Sequence, residues 1–304
     1  MAVNKSKMKV SITGASGFVG KNLERYLSDL DINVNSISRK DLNNTSWNLI
    51  DTDAVVHLAG KAHDLKKTSI PQEYYEVNFE LTKKLYDAFL KSDSKKFIFI
   101  SSVKAAADTV NKVLTEDIIP TPTTHYGKSK LMAEQYIQSQ PLPIDKCYYI
   151  LRPCLIHGPG NKGNLNLLYK FVHKNIPYPF GAFFNKRSFL SIGNLCFVIK
   201  GLLEKNVSTG IYNVADDKAL STNEVVSILA ASLNRKAKLW AVPKYFIKGL
   251  ARFGDLLSLP INTERLDKLT ENYVVSNDKI KKALSANFPI DTEKGLEITA
   301  KSFQ

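Results

Sequence analysis

A strand pattern, three glycines and a helix pattern meet at the start of this chain, and no other feature narrows the fold as much. The run "KVSIT" (9–13) leads into "TGASGFVGKNLERYL", where Gly14, Gly17 and Gly20 open an amphipathic helix. Glycines so placed let the backbone turn sharply and approach a pyrophosphate, whose charge rests on free N–H groups and the positive helix end. A plain tight turn also uses glycine; the position between strand and helix favours a dinucleotide cradle formed by Gly14, Gly17, Phe18, Val19 and Gly20.

Downstream, short apolar runs alternate with helical periodicity, the pattern of a parallel sheet built from βαβ units. The predicted strands are 9–13, 33–38 ("NVNSIS"), 54–59 ("AVVHLA"), 96–101 ("KFIFIS") and 147–152 ("CYYILR"), with a helix over "EYYEVNFELTKKLYDAFLKS" between the third and fourth. Past Pro153 the texture turns to glycine, proline and asparagine in "HGPGNKGN" and "IPYPFGAFFNKRS", expected to be loops over a binding face. "TNEVVSILAASL", capped by Ser221 or Thr222, and "PKYFIKGLARFGDLLSLP", bounded by Pro243 and Pro260, are expected helices; the second is read as packing in a C-terminal subdomain rather than lying on a membrane. The fold class is therefore α/β, a Rossmann-type doubly wound parallel sheet with a smaller, mainly C-terminal α/β unit, and 304 residues supply enough core for both.

A sheet of this kind holds its ligand at the carboxyl edge of its strands. About 20 residues past the glycine loop an NAD-specific domain usually carries an acid for the ribose 2′-hydroxyl. Here the second strand ends in "SISRKD", so Ser38 and Arg39 favour a 2′-phosphate, and NADP(H) over NAD(H), against the alternative of an exposed loop arginine; Asp41 and Asp53 are further candidate adenine or ribose contacts. In "THYGKSKLMAEQYI" Tyr126 and Lys130 stand four apart and share a helix face. A tyrosine titrates near ~10, and an adjacent ammonium favours its phenolate, which could exchange a proton with a hydroxyl or ketone. Ser102, after the fourth strand, is placed to hydrogen-bond the reacting oxygen, with Ser101 capping the strand.

"TGASGFVG", "HLAGKAH", "FISSVK", "YGKSK" and "LRPCLIHGPGNKGN" together resemble an extended short-chain dehydrogenase/reductase of the NAD-dependent epimerase/dehydratase family, of the nucleotide-sugar 4-ketoreductase and 4-epimerase type, and the resemblance spans nearly the whole chain. It implies a catalytic set of Ser102, Tyr126 and Lys130, with Lys130 also on the nicotinamide ribose, Pro153 beside the nicotinamide, and Leu58, Ala59 and Gly60 passing the cofactor. It further implies Asn164 and Arg187 on the diphosphate of a nucleotide sugar, although a surface salt bridge competes for Arg187. The cofactor domain would comprise 1–156 and about 187–215, and the substrate domain about 157–186 and 216–304. Related enzymes dimerise through helices corresponding to 75–91 and 126–139, so a homodimer is expected.

Where this family's 4,6-dehydratases carry an Asp-Glu pair after the catalytic hydroxyl residue, this chain has Val103 and Lys104, which disfavours elimination. What remains is reduction of the 4-keto group of a UDP-4-keto-6-deoxy-(N-acetyl)hexosamine for surface polysaccharide, or 4-epimerisation of a UDP-hexose or UDP-N-acetylhexosamine. Arg39 tilts the choice to reduction, because a reductase draws on an external reduced pool. A noncatalytic cofactor-sensing protein is the minor alternative, disfavoured because both tyrosine and lysine are kept.

The formal charge of +13 raises nucleic acid as a partner, but the lysines are scattered as pairs (Lys66-Lys67, Lys95-Lys96, Lys281-Lys282) without interleaved aromatics. No nucleic acid, no membrane and no metal are expected: His57, His63, His125, His157 and His173 lack metal-ligand spacing, and no apolar run nears the roughly 20 residues of a bilayer span. Cys147, Cys154 and Cys196, odd in number and without a CxxC pair, are expected as reduced thiols, and the default location is the cytoplasm.

Overall fold

The computed structural model describes residues 7–43, 49, 51–61, 70–161, 163–256 and 262–304. Of the residues singled out above, His63, Lys66, Lys67, Pro260 and the side chain of Asn164 lie outside these. In chain order the elements are β1 (Lys9–Thr13), α1 (Phe18–Ser28), β2 (Asn33–Ile37), α2 (Arg39–Asn43), β3 (Ala54–His57) and α3 (Pro71–Tyr75), which runs through a π-helical turn (Glu76–Glu80) into α4 (Leu81–Lys91). There follow β4 (Lys96–Ile100), a 3₁₀ turn (Val103–Ala105), α5 (His125–Ser139), β5 (Cys147–Pro153), β6 (Leu155–His157), α6 (Asn164–His173), β7 (Phe189–Ser191), α7 (Ile192–Glu204) and β8 (Gly210–Val214). The chain closes with α8 (Thr222–Ala231), α9 (Lys244–Leu256), α10 (Thr263–Thr270), α11 (Asp278–Leu284) and α12 (Thr292–Lys301).

Six strands form one sheet in the order β2-β1-β3-β4-β5-β8, and every neighbouring pair is parallel. The order reverses beside β1, since β2 lies on one side of it and β3 on the other. Parallel strands buried on both faces need apolar residues in both directions. Val10, Ile12, Ile98 and Tyr149 enter one core with residues of α1 and α7, while Val55, Phe97, Phe99 and Ile150 enter another with residues of α4 and α5. A third cluster joins Leu165 of α6, Leu229 of α8 and Leu296 of α12, and β6 pairs with β7 as a separate two-stranded ladder.

All five predicted strands are present, but three stop earlier than their apolar runs, at Ile37, His57 and Ile100. At this edge the chain leaves the ladder, so apolar residues such as Leu58 serve loops instead. β8 is a sixth strand, too short and too near a glycine to stand out by periodicity. Ser221 rather than Thr222 caps α8, through a reciprocal capping box with Glu224. The three cysteines are free thiols, and burial pushes Cys154 and Cys196 up. Among the described residues no helix is long and apolar enough to cross a membrane.

Candidate active site

The glycine loop lies at the carboxyl edge of β1, where the strand order reverses. Gly14 has φ +73°, and a Cβ there would come within 2.7 Å of the Ala59 amide nitrogen, so a side chain would be both strained and blocked. Gly17 is the N-cap of α1 and offers no side-chain hydrogen bond, leaving first-turn N–H groups around Phe18, Val19 and Gly20 unclaimed by a cap. Beside it Thr13 Oγ1 accepts from the Ala59 amide at 3.1 Å, tying the Leu58–Gly60 turn to the loop. Uncapped helix N–H groups and a side-chain-free crest fit a pyrophosphate, and so fit the implied dinucleotide.

Across the crevice, Thr124 caps α5 by accepting from the Gly127 amide at 3.2 Å. Gly127 is where α5 meets the turn that carries Ser102, because a Cβ there would lie 2.4 Å from the Lys104 carbonyl oxygen. The buried face of this helix holds Ser129, Lys130 and Glu134 beside Ala133 and Ile137. Polar groups at core positions are costly unless partnered, and each of these has a partner. Tyr126 is half-buried, and its phenol is raised by burial and lowered by a hydrogen bond from Ser102. The Ser102 hydroxyl also accepts from the Lys104 amide at 3.2 Å, which orients it. Lys130 donates to the Ile100 carbonyl at 2.9 Å and lies 4.7 Å from the Phe99 ring centre. Burial lowers it to about 8, with the Glu134 carboxylate opposing. A Cβ on Gly60 would meet Lys130 Nζ at 3.1 Å, so the ammonium reaches the turn facing the glycine loop. The lowering of the tyrosine that sequence reasoning assigns to Lys130 thus comes, within the protein, from Ser102.

Several supporting residues escape sequence reasoning. Asn78, fully buried in the π-helical turn, accepts from the Lys61 amide at 2.8 Å and donates to the Lys61 carbonyl and to Ser129 Oγ, each at 3.1 Å. A polar residue in register with Tyr74, Thr82 and Leu85 on a buried helical stripe was its available signal. Glu134 takes Arg152 Nε at 3.0 and 3.1 Å, Arg152 Nη2 at 2.5 Å and Ser101 Oγ at 2.5 Å, all fully buried under the sheet edge. Its signal was an acid four residues past Lys130 on the same face. Tyr273 Oη donates its one proton to the Ala107 carbonyl at 2.6 Å, shared with the Val103 carbonyl at 3.2 Å, so a residue far along the chain steadies the Ser102 turn. Nothing local in the sequence marks it.

Arg39 is exposed at the start of α2, directly beyond the carboxyl end of β2. Ser38 donates to Asp41 Oδ2 through its amide at 2.9 Å and its hydroxyl at 2.6 Å, so this acid serves α2 as a cap. Asp53 is corrected: it accepts from the Lys9 amide at 2.7 Å just before β3, at the sheet edge opposite the glycine loop. Pro153 ends β5 paired with Val214, at the carboxyl edge. Asn164 begins α6 after Gly163. Arg187 bridges by backbone to Leu220 and Tyr273, and its guanidinium lies 3.6 Å from the Glu271 carboxylate, so the competing ion pair exists, at long range. Its charge weakly opposes the burial that raises the Cys154 thiol. Among the described residues no cluster suits a metal ion.

A phenol, a hydroxyl bound to it and a buried lysine, facing a glycine loop with uncapped helix N–H groups across the switch point of a parallel sheet, are the parts of a Rossmann-type dinucleotide enzyme of the short-chain dehydrogenase/reductase class. The chain belongs to the NAD dependent epimerase/dehydratase family, whose model matches residues 10–215. It is 31% identical to the UDP-glucose 4-epimerase of Vibrio cholerae over 100% of this chain and 98% of that protein. It is 32% identical to the N-acetyl-alpha-D-glucosaminyl-diphospho-ditrans,octacis-undecaprenol 4-epimerase of Escherichia coli O157:H7 over 90% of this chain and 84% of that one. In fold it matches the UDP-N-acetylglucosamine 4-epimerase from Bacillus cereus with a TM-score of 0.76 at 20% identity, over 98% of this chain and 100% of that chain. The protein is thus an enzyme of the nucleotide-sugar epimerase, dehydratase and reductase class.

Proposed function

We propose that this enzyme reduces the 4-keto group of a UDP-4-keto-6-deoxy-(N-acetyl)hexosamine with NADPH, in the cytoplasm, for surface polysaccharide synthesis. The observation that carries this reading is the end of β2, where Arg39 stands exposed and the nearby acid Asp41 is turned to Ser38. That surface suits a 2′-phosphate, and NADPH is the reduced pool a reductase draws on. The bound nicotinamide supplies the hydride. Tyr126 gives its proton to the C4 oxygen, Ser102 hydrogen-bonds the same oxygen, and Lys130 holds the ribose side of the crevice. Gly14, Gly17, Phe18, Val19 and Gly20 hold the pyrophosphate, Leu58, Ala59 and Gly60 pass beside the cofactor, Pro153 borders the nicotinamide, and Arg187 with Asn164 takes the sugar diphosphate. Elimination is disfavoured by the two residues after Ser102: Val103 is buried, and Lys104 Nζ lies 4.3 Å from the Tyr273 ring. Pairing of two copies through α3–α4 and α5 belongs to the same proposal.

A second reading, 4-epimerisation, is favoured by the two relatives of about one-third identity, one named for UDP-glucose and the other for a sugar on diphospho-undecaprenol. Tyr126 would then take the proton of the C4 hydroxyl and later return it, while bound NAD would supply the oxidant that accepts the C4 hydride and gives it back to the opposite face of the ketone. The deciding experiment is to purify the protein, identify the nucleotide it carries, and assay both chemistries. NADPH consumption dependent on a UDP-4-keto-6-deoxy-sugar supports the reductase; tightly held NAD with interconversion of two C4 epimers overturns it.

A further inference from the structure

Helix α9, expected to pack in the C-terminal core, buries Ile247, Ala251 and Gly254 alone among its described residues. Phe246, Leu250 and Phe253, at i, i+4 and i+7, form an outer stripe, and with Tyr245 each is at least 51% exposed. Lys244, Lys248 and Arg252 make a basic ridge along the same helix. Its single acid, Asp255, accepts from the Thr263 amide at 3.0 Å and so belongs to the start of α10. The apolar surface continues past the helix. Trp240, 59% exposed, lies just before it, and the Trp240 carbonyl accepts from the Gly181 amide at 3.0 Å, which brings in the turn bearing Phe184, 82% exposed. Lys244 Nζ lies 5.7 Å from the ring centre of Phe183, joining that turn to α9.

A soluble monomer seldom exposes so many neighbouring aromatics. We propose that α9, with Trp240 and Phe184, docks the protein on an anionic bilayer surface. The composition is that of an interfacial helix: an apolar stripe with aromatics, a cationic ridge, and Trp and Tyr where an amphipathic ring meets headgroups. Charge decides against a second copy as occupant. Interface centres are depleted in lysine, and a second copy seated on this face would bring a like basic ridge against Lys244, Lys248 and Arg252, whereas an anionic leaflet attracts that ridge. Docking also bears on the proposed site, and for this step alone it rests on that reading: Arg187 follows Phe184 by three residues, at most about 10 Å of chain. On the second reading, that of a sugar on a lipid diphosphate, a substrate anchored in the bilayer would lie within reach of that guanidinium.

The test is cosedimentation with vesicles of phosphatidylcholine alone or with phosphatidylglycerol added, without sugar or dinucleotide. The expected result is binding to the anionic vesicles only, reduced by high salt, at least tenfold weaker in Phe246→Ser/Phe253→Ser, and weakened in Lys248→Glu/Arg252→Glu. Because both pairs are exposed, turnover of a soluble UDP-sugar should stay at the wild-type level and certify the fold. Absence of vesicle binding by the wild type overturns the proposal, as does undiminished binding by both variants. So does a wild-type oligomer that splits to monomers in the serine variant while neither form binds lipid, since a second copy then covers the face. Vesicle binding needs no substrate, so its failure leaves the catalytic reading intact, and failure of turnover with every UDP-sugar leaves docking intact.

Discussion

His57 Nε2 and Thr82 Oγ1 are 2.9 Å apart, and the direction of that bond is fixed by a third group. The Thr82 hydroxyl donates to the Asn78 carbonyl at 2.8 Å, so the imidazole must be the donor to Thr82. Nδ1 then accepts from Thr13 Oγ1 at 2.6 Å, and Thr13 Oγ1 accepts from the Ala59 amide. One neutral tautomer therefore links the π-helical turn of Asn78 to the glycine loop's neighbour, Ala59.

Burial, with the Lys130 charge adding to it, lowers His57 from its ordinary value near 6.5 to about 3. The unfolded chain takes up a proton below 6.5 that the folded protein refuses, so this contribution to stability is complete above 6.5 and is lost as pH falls towards 3. The loss is about 2 kcal/mol at pH 5. In His57→Gln, which keeps a donor without a titrating ring, the stability gap to wild type should narrow by that amount between pH 7 and 5. Denaturant midpoints that run parallel across this range would show that His57 is not held neutral.

Asp108 fastens the start of α5 to the Ser102 turn. Its carboxylate accepts from Thr123 through amide and hydroxyl at 2.6 and 2.7 Å, and from Thr124 through amide and hydroxyl at 3.2 and 3.1 Å. Burial alone would raise this acid, yet these four bonds hold it below the ordinary range. Asp108→Ala should cost about 2 kcal/mol of stability and lower kcat by at least tenfold, while dinucleotide affinity changes less than threefold. Isothermal titration with NADPH beside steady-state kinetics separates the two effects. An equal loss in binding and turnover would mean that Asp108 supports the whole sheet edge rather than the spacing of Ser102 and Tyr126.

The parts of the site legible in the sequence were those made by chain-local patterns. Gly14, Gly17 and Gly20 announce a turn because their spacing is set by one loop, and Tyr126 and Lys130 share a face because helical geometry puts them there. The partners reached across the fold were not legible. Arg152 meets Glu134 from another element, and Tyr273 reaches Val103 from across 170 positions. Asp53 illustrates the same limit in reverse: an acid beside the third strand was a candidate adenine or ribose contact, but direction along β3 put it at the wrong edge. For α9 periodicity gave a helix, yet a chain alone does not say which apolar stripe finds a core.

Ser102 should set the pH dependence of Tyr126. Its hydrogen bond lowers the phenol that burial raises, so Ser102→Ala removes the lowering and leaves the burial. In the reductive direction Tyr126 acts as an acid, and activity falls where the phenol loses its proton. The alkaline limb of kcat/KM should therefore move to higher pH in Ser102→Ala, on a plateau lowered by about a hundredfold, whereas Tyr126→Phe should lose turnover and retain the dinucleotide. A limb that moves to lower pH, or that persists in Tyr126→Phe, assigns it to another group.

Lys130 carries the reverse penalty from a structural residue, because its charge is held where burial opposes it. The ordinary lysine value of 10.5 falls to about 8 in the fold. Below 8 both folded and unfolded chains carry the proton, and the folded one bears the full cost, about 3 kcal/mol. Between 8 and 10.5 the folded protein releases its proton first, so stability from this group rises with pH, and above 10.5 the cost is gone. Lys130→Met keeps the length of the side chain without its charge. It should abolish turnover, and its stability relative to wild type should fall by about 2 kcal/mol from pH 7 to 9.5 as the wild type sheds the penalty. Comparing the two proteins cancels the buried tyrosines, which titrate alike in both. A difference independent of pH would mean that the lysine is solvated in the fold, and that its closeness to Gly60 and Phe99 exacts no electrostatic cost.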